Sequence, residues 1–209
     1  MKTKLGNLCM CVGAALLIGA LSLFLYNIWD DTRAGTAAEA VLGRVMEEIE
    51  ARGESEPVSP PPAVSVPQEL QTVEDRAMTE VEIDGYNYIG YLSVPALGLE
   101  LPVMADWDYQ RLKIAPCRYY GSSKSDDLVI MAHSYRQHFG YLSTALEGTD
   151  LYFTDMDGAT STYRVVTVQY LSPQSVEEVT AGEYDLTLFT CTYGGGSRLT
   201  VFCDRVKTQ

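Results

Sequence analysis

Asp185-Leu-Thr-Leu-Phe-Thr-Cys191, then Thr192-Tyr-Gly-Gly-Gly-Ser197, then Arg198-Leu-Thr-Val-Phe-Cys203 is the stretch on which the reading of this chain turns. Both flanks are rich in β-branched and aromatic residues. The glycine run between them is a turn signal, so the stretch predicts two adjacent antiparallel strands. That arrangement puts a thiol at the end of one strand and a guanidinium at the start of the next. A thiolate beside a fixed positive charge is a stabilised nucleophile. Strand parity then separates the remaining cysteine and arginine of this region. Cys203 stands at odd separation from Arg198 and faces the other side, a packing position. Arg205 also stands at odd separation, about 23 Å farther along an extended chain.

Working outward, residues 81–209 carry apolar runs over 88–94, 99–104, 128–132, 151–154, 163–171, 186–191 and 199–206, alternating with turn signals. The run 163–170 alternates in part, as in a strand with one wet face. Two short helical candidates interrupt, around Tyr109–Lys113 and Tyr141–Glu147. Several short strands at this spacing predict an all-β sandwich or barrel, and the length suffices for one buried core. The chain has two histidines. His133 directly follows the apolar run Leu128-Val-Ile-Met-Ala132, so a strand end would hold it at a rim. Imidazole is the side chain that titrates near neutral pH unaided. His138 falls in the polar Ser134-Tyr-Arg-Gln-His138 stretch, where a solvated side chain is expected.

Upstream, Leu5 to Ile28 is a run of 24 residues without a charge, long enough to cross a bilayer core that needs about 20. Lys2 and Lys4 precede it and Asp30-Asp31 follow it, which orients the N-terminus to the cytoplasm and the bulk outside. A cleaved signal peptide would have a shorter apolar core and a small-residue site close behind it. The nearest such site, Ala38-Glu39-Ala40, lies too far along, so a retained anchor is expected over residues 1–29. Residues 30–51 show apolar positions at spacings of three and four, an amphipathic helix serving as stalk, dimerising helix or arm on the domain. Residues 52–80, with Pro57, Pro60, Pro61, Pro62 and Pro67, read as an extended spacer.

The chain carries 28 acids against 15 bases, and residues 81–209 alone have 16 acids and 9 bases. That excludes a basic footprint for nucleic acid and an electrostatic attachment to anionic lipid. Past the apolar run three cysteines remain, Cys117, Cys191 and Cys203, an odd number that argues against a disulfide framework. There is no Cys-x-x-Cys, no paired histidines at ligand spacing and no EF-hand-type acidic loop, so no cofactor or metal is expected.

Thr187-Leu-Phe-Thr-Cys191 followed by Arg198 resembles the Thr-Leu-x-Thr-Cys and downstream arginine of the sortases, bacterial cysteine transpeptidases. Tyr88-Ile-Gly-Tyr-Leu-Ser-Val-Pro95, Leu101-Pro-Val103, Leu128 to His133, Phe139-Gly140 with Leu142 and Leu146, and Gly148-Thr-Asp150 match that family in order. Ala132 departs from it, standing where many members have glycine. The spacing from Cys191 to Arg198 is short for the family and implies a tight loop.

The resemblance implies a closed eight-stranded barrel over 81–209, behind a transmembrane helix and helical stalk. It implies cleavage of an L-P-x-T-G-like sorting signal and transfer of the acyl part to an amine of a cell-wall precursor or a pilin. Cys191 is then the nucleophile, His133 the general acid–base and Arg198 the oxyanion partner, with Thr190 positioning substrate or lending a backbone contact. Surface proteins or pilins with a C-terminal sorting signal would be the partners. The short run between Leu171 and Asp185 disfavours the class B pattern without assigning a class. The alternatives are a catalytically silent anchored scaffold on the same barrel, or another class of cysteine peptidase.

Overall fold

The computed structural model describes residues 2–54 and 77–207. Most of the proline-rich spacer expected over 52–80 therefore lies outside the described residues. The chain divides into two units, Met1–Arg33 and Ala34–Gln209. One continuous helix, α1 (Lys2–Glu54), passes through both.

In the first unit α1 is apolar and bare, with Leu16, Leu17, Ile18, Leu23 and Phe24 all exposed. By length and composition it can cross a membrane. Two of its hydroxyl side chains bond back within the helix: Ser22 Oγ donates to Ile18 O and Thr32 Oγ1 to Ile28 O, each at 2.9 Å. Arg33 pairs with Asp30 at 3.0 Å.

In the second unit the rest of α1 is an arm along the domain. Ala34, Ala38, Val41, Val45 and Ile49 recur at spacings of three and four and are buried. Val41, Val45 and Ile49 pack with Tyr88, Met104, Leu112, Cys117 and Met156. Arg44 clamps this arm to Asp84. Asp84 and Gly85 both have positive φ, 54° and 79°, as a two-residue hairpin turn of the favoured hand requires.

That turn joins β1 (Val81–Ile83) to β2 (Tyr86–Val94). The strands that follow are β3 (Leu99–Met104), β4 (Cys117–Tyr120), β5 (Leu128–Ala132), β6 (Asp150–Asp155) and β7 (Thr160–Leu171). A short helix α2 (Val176–Thr180) precedes β8 (Leu186–Cys191) and β9 (Arg198–Arg205). The order β2-β3-β4-β5-β8-β9-β7-β6 returns to β2, so eight strands close into the barrel that the sequence implied; β1 is appended outside the ring. The closing seam pairs Gly90 with Asp155 through to Ser93 with Tyr152. Gly90 has φ +141°, and a Cβ there would overlap the Thr154 carbonyl, so the seam tolerates only glycine.

The barrel interior follows strand parity. Leu92 and Val94, Leu101 and Val103, Leu128 and Ile130, Leu186 and Leu188, and Val201 and Cys203 form one core, capped by Phe139, Leu142 and Ala145. Two strands lie outside the expected runs. β1 is three residues long, and β4 is four residues behind Pro116 with a charge inside it. That charge, Arg118, is satisfied by the Ala105 carbonyl at 2.9 Å and by Glu80 at 2.7 Å. The two helical candidates shrink to single 3-10 turns, Arg111–Lys113 and Leu142–Thr144, while α2 lies inside the loop between β7 and β8.

Candidate active site

Cys191 is the last residue of β8 and Arg198 the first of β9, and the two are direct cross-strand partners. The connection is as tight as the spacing implied. Thr192 N donates to Ser197 O at 3.0 Å, Ser197 N donates to Thr192 Oγ1 at 3.1 Å, and Gly195 N donates to Thr192 O at 2.8 Å. Gly194 and Gly195 supply the positive φ that this turn needs.

His133 arrives by a different route. β5 runs parallel to β8 with Ala132 opposite Thr190, so the residues that follow, His133 and Cys191, emerge at the same end of adjacent strands. Ala132 is not among the positive-φ residues, so its Cβ is unstrained where the family often has glycine. The Thr190 hydroxyl donates to the Ala132 carbonyl at 2.8 Å in a buried bond between segments 58 residues apart. Thr190 is 3 % exposed, and its side chain is tied to β5 rather than lining the cleft. Any contact it makes with substrate would come from its main chain.

Cys191, His133 and Arg198 line one cleft of about 200 Å³. One wall is aromatic: Trp107 lies 5.7 Å from Tyr119, whose ring meets Phe189 edge-on at 5.2 Å. Leu171 at the end of β7, Pro173 of the loop that follows, and Val176 and Val179 of α2 form the other. Apolar walls around a few convergent polar groups are the ordinary make-up of a substrate pocket. Nothing in the local sequence marked the aromatic wall, because Trp107 and Tyr119 lie far along the chain from Phe189.

The arginines and cysteines sort by parity. Arg198 makes one side-chain hydrogen bond, at 3.5 Å to the Ser197 carbonyl, and no ion pair among the described residues. Arg205 instead donates to Asp126 Oδ1 at 2.6 Å, to the Tyr163 hydroxyl at 3.0 Å, to Ser161 and to the Ser123 carbonyl. Cys191 is half-buried at the cleft. Cys203 is wholly inside the barrel, and burial pushes its thiol pKa up. Cys117 is covered by the arm, and burial pushes it from 9.0 to about 12. All five cysteines are free thiols. Among the described residues no group of three or more histidine, cysteine or acidic side chains could hold a metal ion.

The second histidine departs from expectation. His138 is 0 % exposed, not solvated. Its polar stretch winds back on itself, with His138 N and Gly140 N both donating to Tyr135 O and Phe139 N donating to His133 O. The His138 ring meets Tyr135 edge-on at 5.5 Å, and Tyr135 in turn packs against His133 at 5.1 Å. A polar run in sequence thus hides a buried ring.

Residues 92–206 match the family model of the sortase domain, more than half the chain, and the protein belongs to the sortase family of cysteine transpeptidases. No protein of curated function matches it. Solved structures with the same fold include sortase C of Streptococcus pneumoniae, 21 % identical, with a TM-score of 0.57 over 81 % of this chain and 97 % of that one. A lid mutant of sortase A from Corynebacterium diphtheriae is 22 % identical, with a TM-score of 0.52 over 82 % and 97 %. A Clostridium perfringens sortase D5 transpeptidase is 14 % identical, with a TM-score of 0.59 over 80 % and 99 %. These likenesses span classes A, C and D.

Proposed function

We propose that this chain is a membrane-anchored transpeptidase that cleaves an L-P-x-T-G-like sorting signal and joins the acyl part to a primary amine. The Cys191 thiolate adds to the threonine carbonyl carbon. The oxygen gains negative charge beside the Arg198 guanidinium, which stays protonated at any relevant pH and donates two parallel bonds. Collapse breaks the C–N bond, and His133 delivers a proton to the departing glycine amine. The thioacyl enzyme is then attacked by the incoming amine. His133 takes its proton, the C–S bond breaks, and the thiolate is restored. Thr190 contributes by holding the two strand ends in register and through its main chain.

The observation that carries this reading is the direct pairing of Cys191 with Arg198, with His133 leaving the adjoining strand end into the same cleft. Mixing full-length protein in detergent with an L-P-x-T-G peptide and measuring intact mass tests it. An adduct of the acyl fragment, absent from Cys191→Ala, is expected; an enzyme that never acquires that mass overturns the reading. The apolar part of α1 is the proposed anchor, with the N-terminus cytoplasmic and the barrel outside. The amine is that of a cell-wall precursor or a pilin lysine, and the donors are surface proteins or pilins.

A further inference from the structure

We infer that the helical arm positions the general acid–base: at Gly35 it seats the loop that starts at His133, so Gly35 and Gln137 are positioning residues for that imidazole. This rests on the transpeptidase reading above, in which His133 moves the proton. The arm is the part of α1 that lies along the domain, from Ala34 to Glu54. Where it begins, Ala34, Gly35 and Ala38 are buried. A Cβ built on Gly35 would coincide with the end of the Gln137 side chain and stand 2.8 Å from its Cβ. Swinging the end of a glutamine aside costs little, but the root of the side chain moves only with its backbone. Glycine is what lets the helix come this close. Gly43, farther along the same arm, is exposed, with open space where its Cβ would stand.

The loop can transmit that contact because it is wound tightly on itself. His138 N and Gly140 N donate to Tyr135 O at 3.0 and 2.8 Å, and Phe139 N donates to His133 O at 3.2 Å. A Cβ at Gly140 would stand 2.7 Å from Tyr135 O and 2.8 Å from Ser134 O, so the winding leaves no slack. Phe139 and Leu142 then enter the core cluster that Ala38 of the arm also joins. The Tyr135 ring packs against His133 at 5.1 Å and against the buried His138 at 5.5 Å. Gln137 sits within this turn, two residues after Tyr135 and one before His138.

At its root the loop leaves β5 at Ala132, whose carbonyl accepts the Thr190 hydroxyl at 2.8 Å. His133 is thus placed from two directions, its main chain from β5 and its ring through Tyr135. A push at Gln137 leaves the first in place and turns the second. A misplacement of about 1 Å at a group that transfers a proton is enough to lower the rate about 10²-fold. The walls that face the donor, Trp107, Tyr119 and Phe189 opposite α2, are built from other segments, so donor binding is spared.

The test measures donor cleavage by full-length protein in detergent with an L-P-x-T-G peptide, comparing Gly35→Ala with Gly43→Ala. Alanine favours a helix over glycine, so an arm with only a structural role would gain stability from either change and keep its turnover. Expected instead is a fall in kcat of about tenfold or more in Gly35→Ala, with KM for the donor within about twofold, and wild-type kinetics in Gly43→Ala. Removing the Gln137 side chain should cancel the penalty: in a Gln137→Gly background, Gly35→Ala should lower kcat by less than about twofold. Equal kcat in Gly35→Ala and Gly43→Ala overturns the inference, and so does a penalty that persists without the Gln137 side chain. The Cε1 proton resonance of His133, one of two histidines in the chain, reads the imidazole without turnover. It should shift in Gly35→Ala, hold in Gly43→Ala, and lie in the double variant where it lies in Gln137→Gly. A resonance unmoved by Gly35→Ala overturns the inference and leaves the transpeptidase reading intact. A wild-type enzyme that forms no thioacyl species overturns that reading, and the resonance then decides alone whether the arm sets the imidazole.

Discussion

The two ends of the β8–β9 hairpin use the same residue types in opposite ways. At the loop end, Cys191 and Arg198 face each other, half-buried, with the guanidinium making one long bond to its neighbour's carbonyl. At the far end, Cys203 is sealed in the barrel and Arg205 is saturated by Asp126, Tyr163, Ser161 and Ser123, while its main-chain N–H donates to Asp185 at 2.7 Å. Arg205 also lies 5.1 Å over the Tyr163 ring. Strand parity does the sorting. Arg198 and Arg205 stand an odd number apart, so one opens on the cleft and the other turns across the barrel floor. A charge whose donors are already committed stabilises the fold, and one with donors to spare is available to a developing oxyanion.

The sharpest way to break this comparison is at the rim. His133→Ala is expected to lower turnover by about 10²–10⁴ with the melting temperature nearly unchanged. His138→Ala should do the reverse: near-normal turnover per folded molecule, and stability lower by about 1–3 kcal/mol for a buried ring removed. Arg198→Lys keeps the charge and loses the fork, so kcat should fall about 10²–10³. A fully active Arg198→Lys would mean that charge alone suffices there.

Arg205→Lys tests the other end. Three or more bonds to a partly buried guanidinium are lost, so unfolding free energy should drop by about 1–3 kcal/mol while kcat stays near normal. Denaturant unfolding beside kinetics reads both. A dead but stable Arg205→Lys would require rebuilding the site around that residue.

The smallest expected effect is on alkaline stability. Burial lifts Tyr163 from 10.0 to about 12 and Cys117 from 9.0 to about 12. In both, the folded state holds its proton more tightly than the unfolded chain. Their contributions are therefore complete below the unfolded values and are lost as pH rises through the folded ones. The melting temperature should decline from pH 9.0 to about 12, and a flat profile across that window would show that neither group is buried in solution.

Much of this was legible before any coordinates, and for definite reasons. A hairpin sets the facing of every residue by parity, so the pairing of Cys191 with Arg198 and the inward turn of Cys203 follow from spacing alone. The closed barrel and the place of His133 do not. They depend on β5 lying parallel to β8, a pairing between distant segments that periodicity cannot specify and that only the family resemblance supplied. β4 escaped notice because four residues with an arginine among them have no readable period. His138 misled because a polar run can wind on its own carbonyls and bury the ring it carries. The bond from the Thr190 hydroxyl to the Ala132 carbonyl is likewise illegible in the sequence, because it joins segments that only the β5–β8 pairing brings together.

That last bond has a consequence in time. It joins residues 58 apart, at the seam where β5 meets β8, so it can form only after everything between has been laid down. Pairings of such separation are slow, because the chain must close a long loop before any contact repays it. The strand ends that carry the thiol and the imidazole therefore come together only once β5 and β8 have paired. A chain still emerging, or still being assembled, has a cysteine but no partner for it. The cleft that Cys191 and His133 share is thus a property of the closed barrel, and neither strand carries it alone.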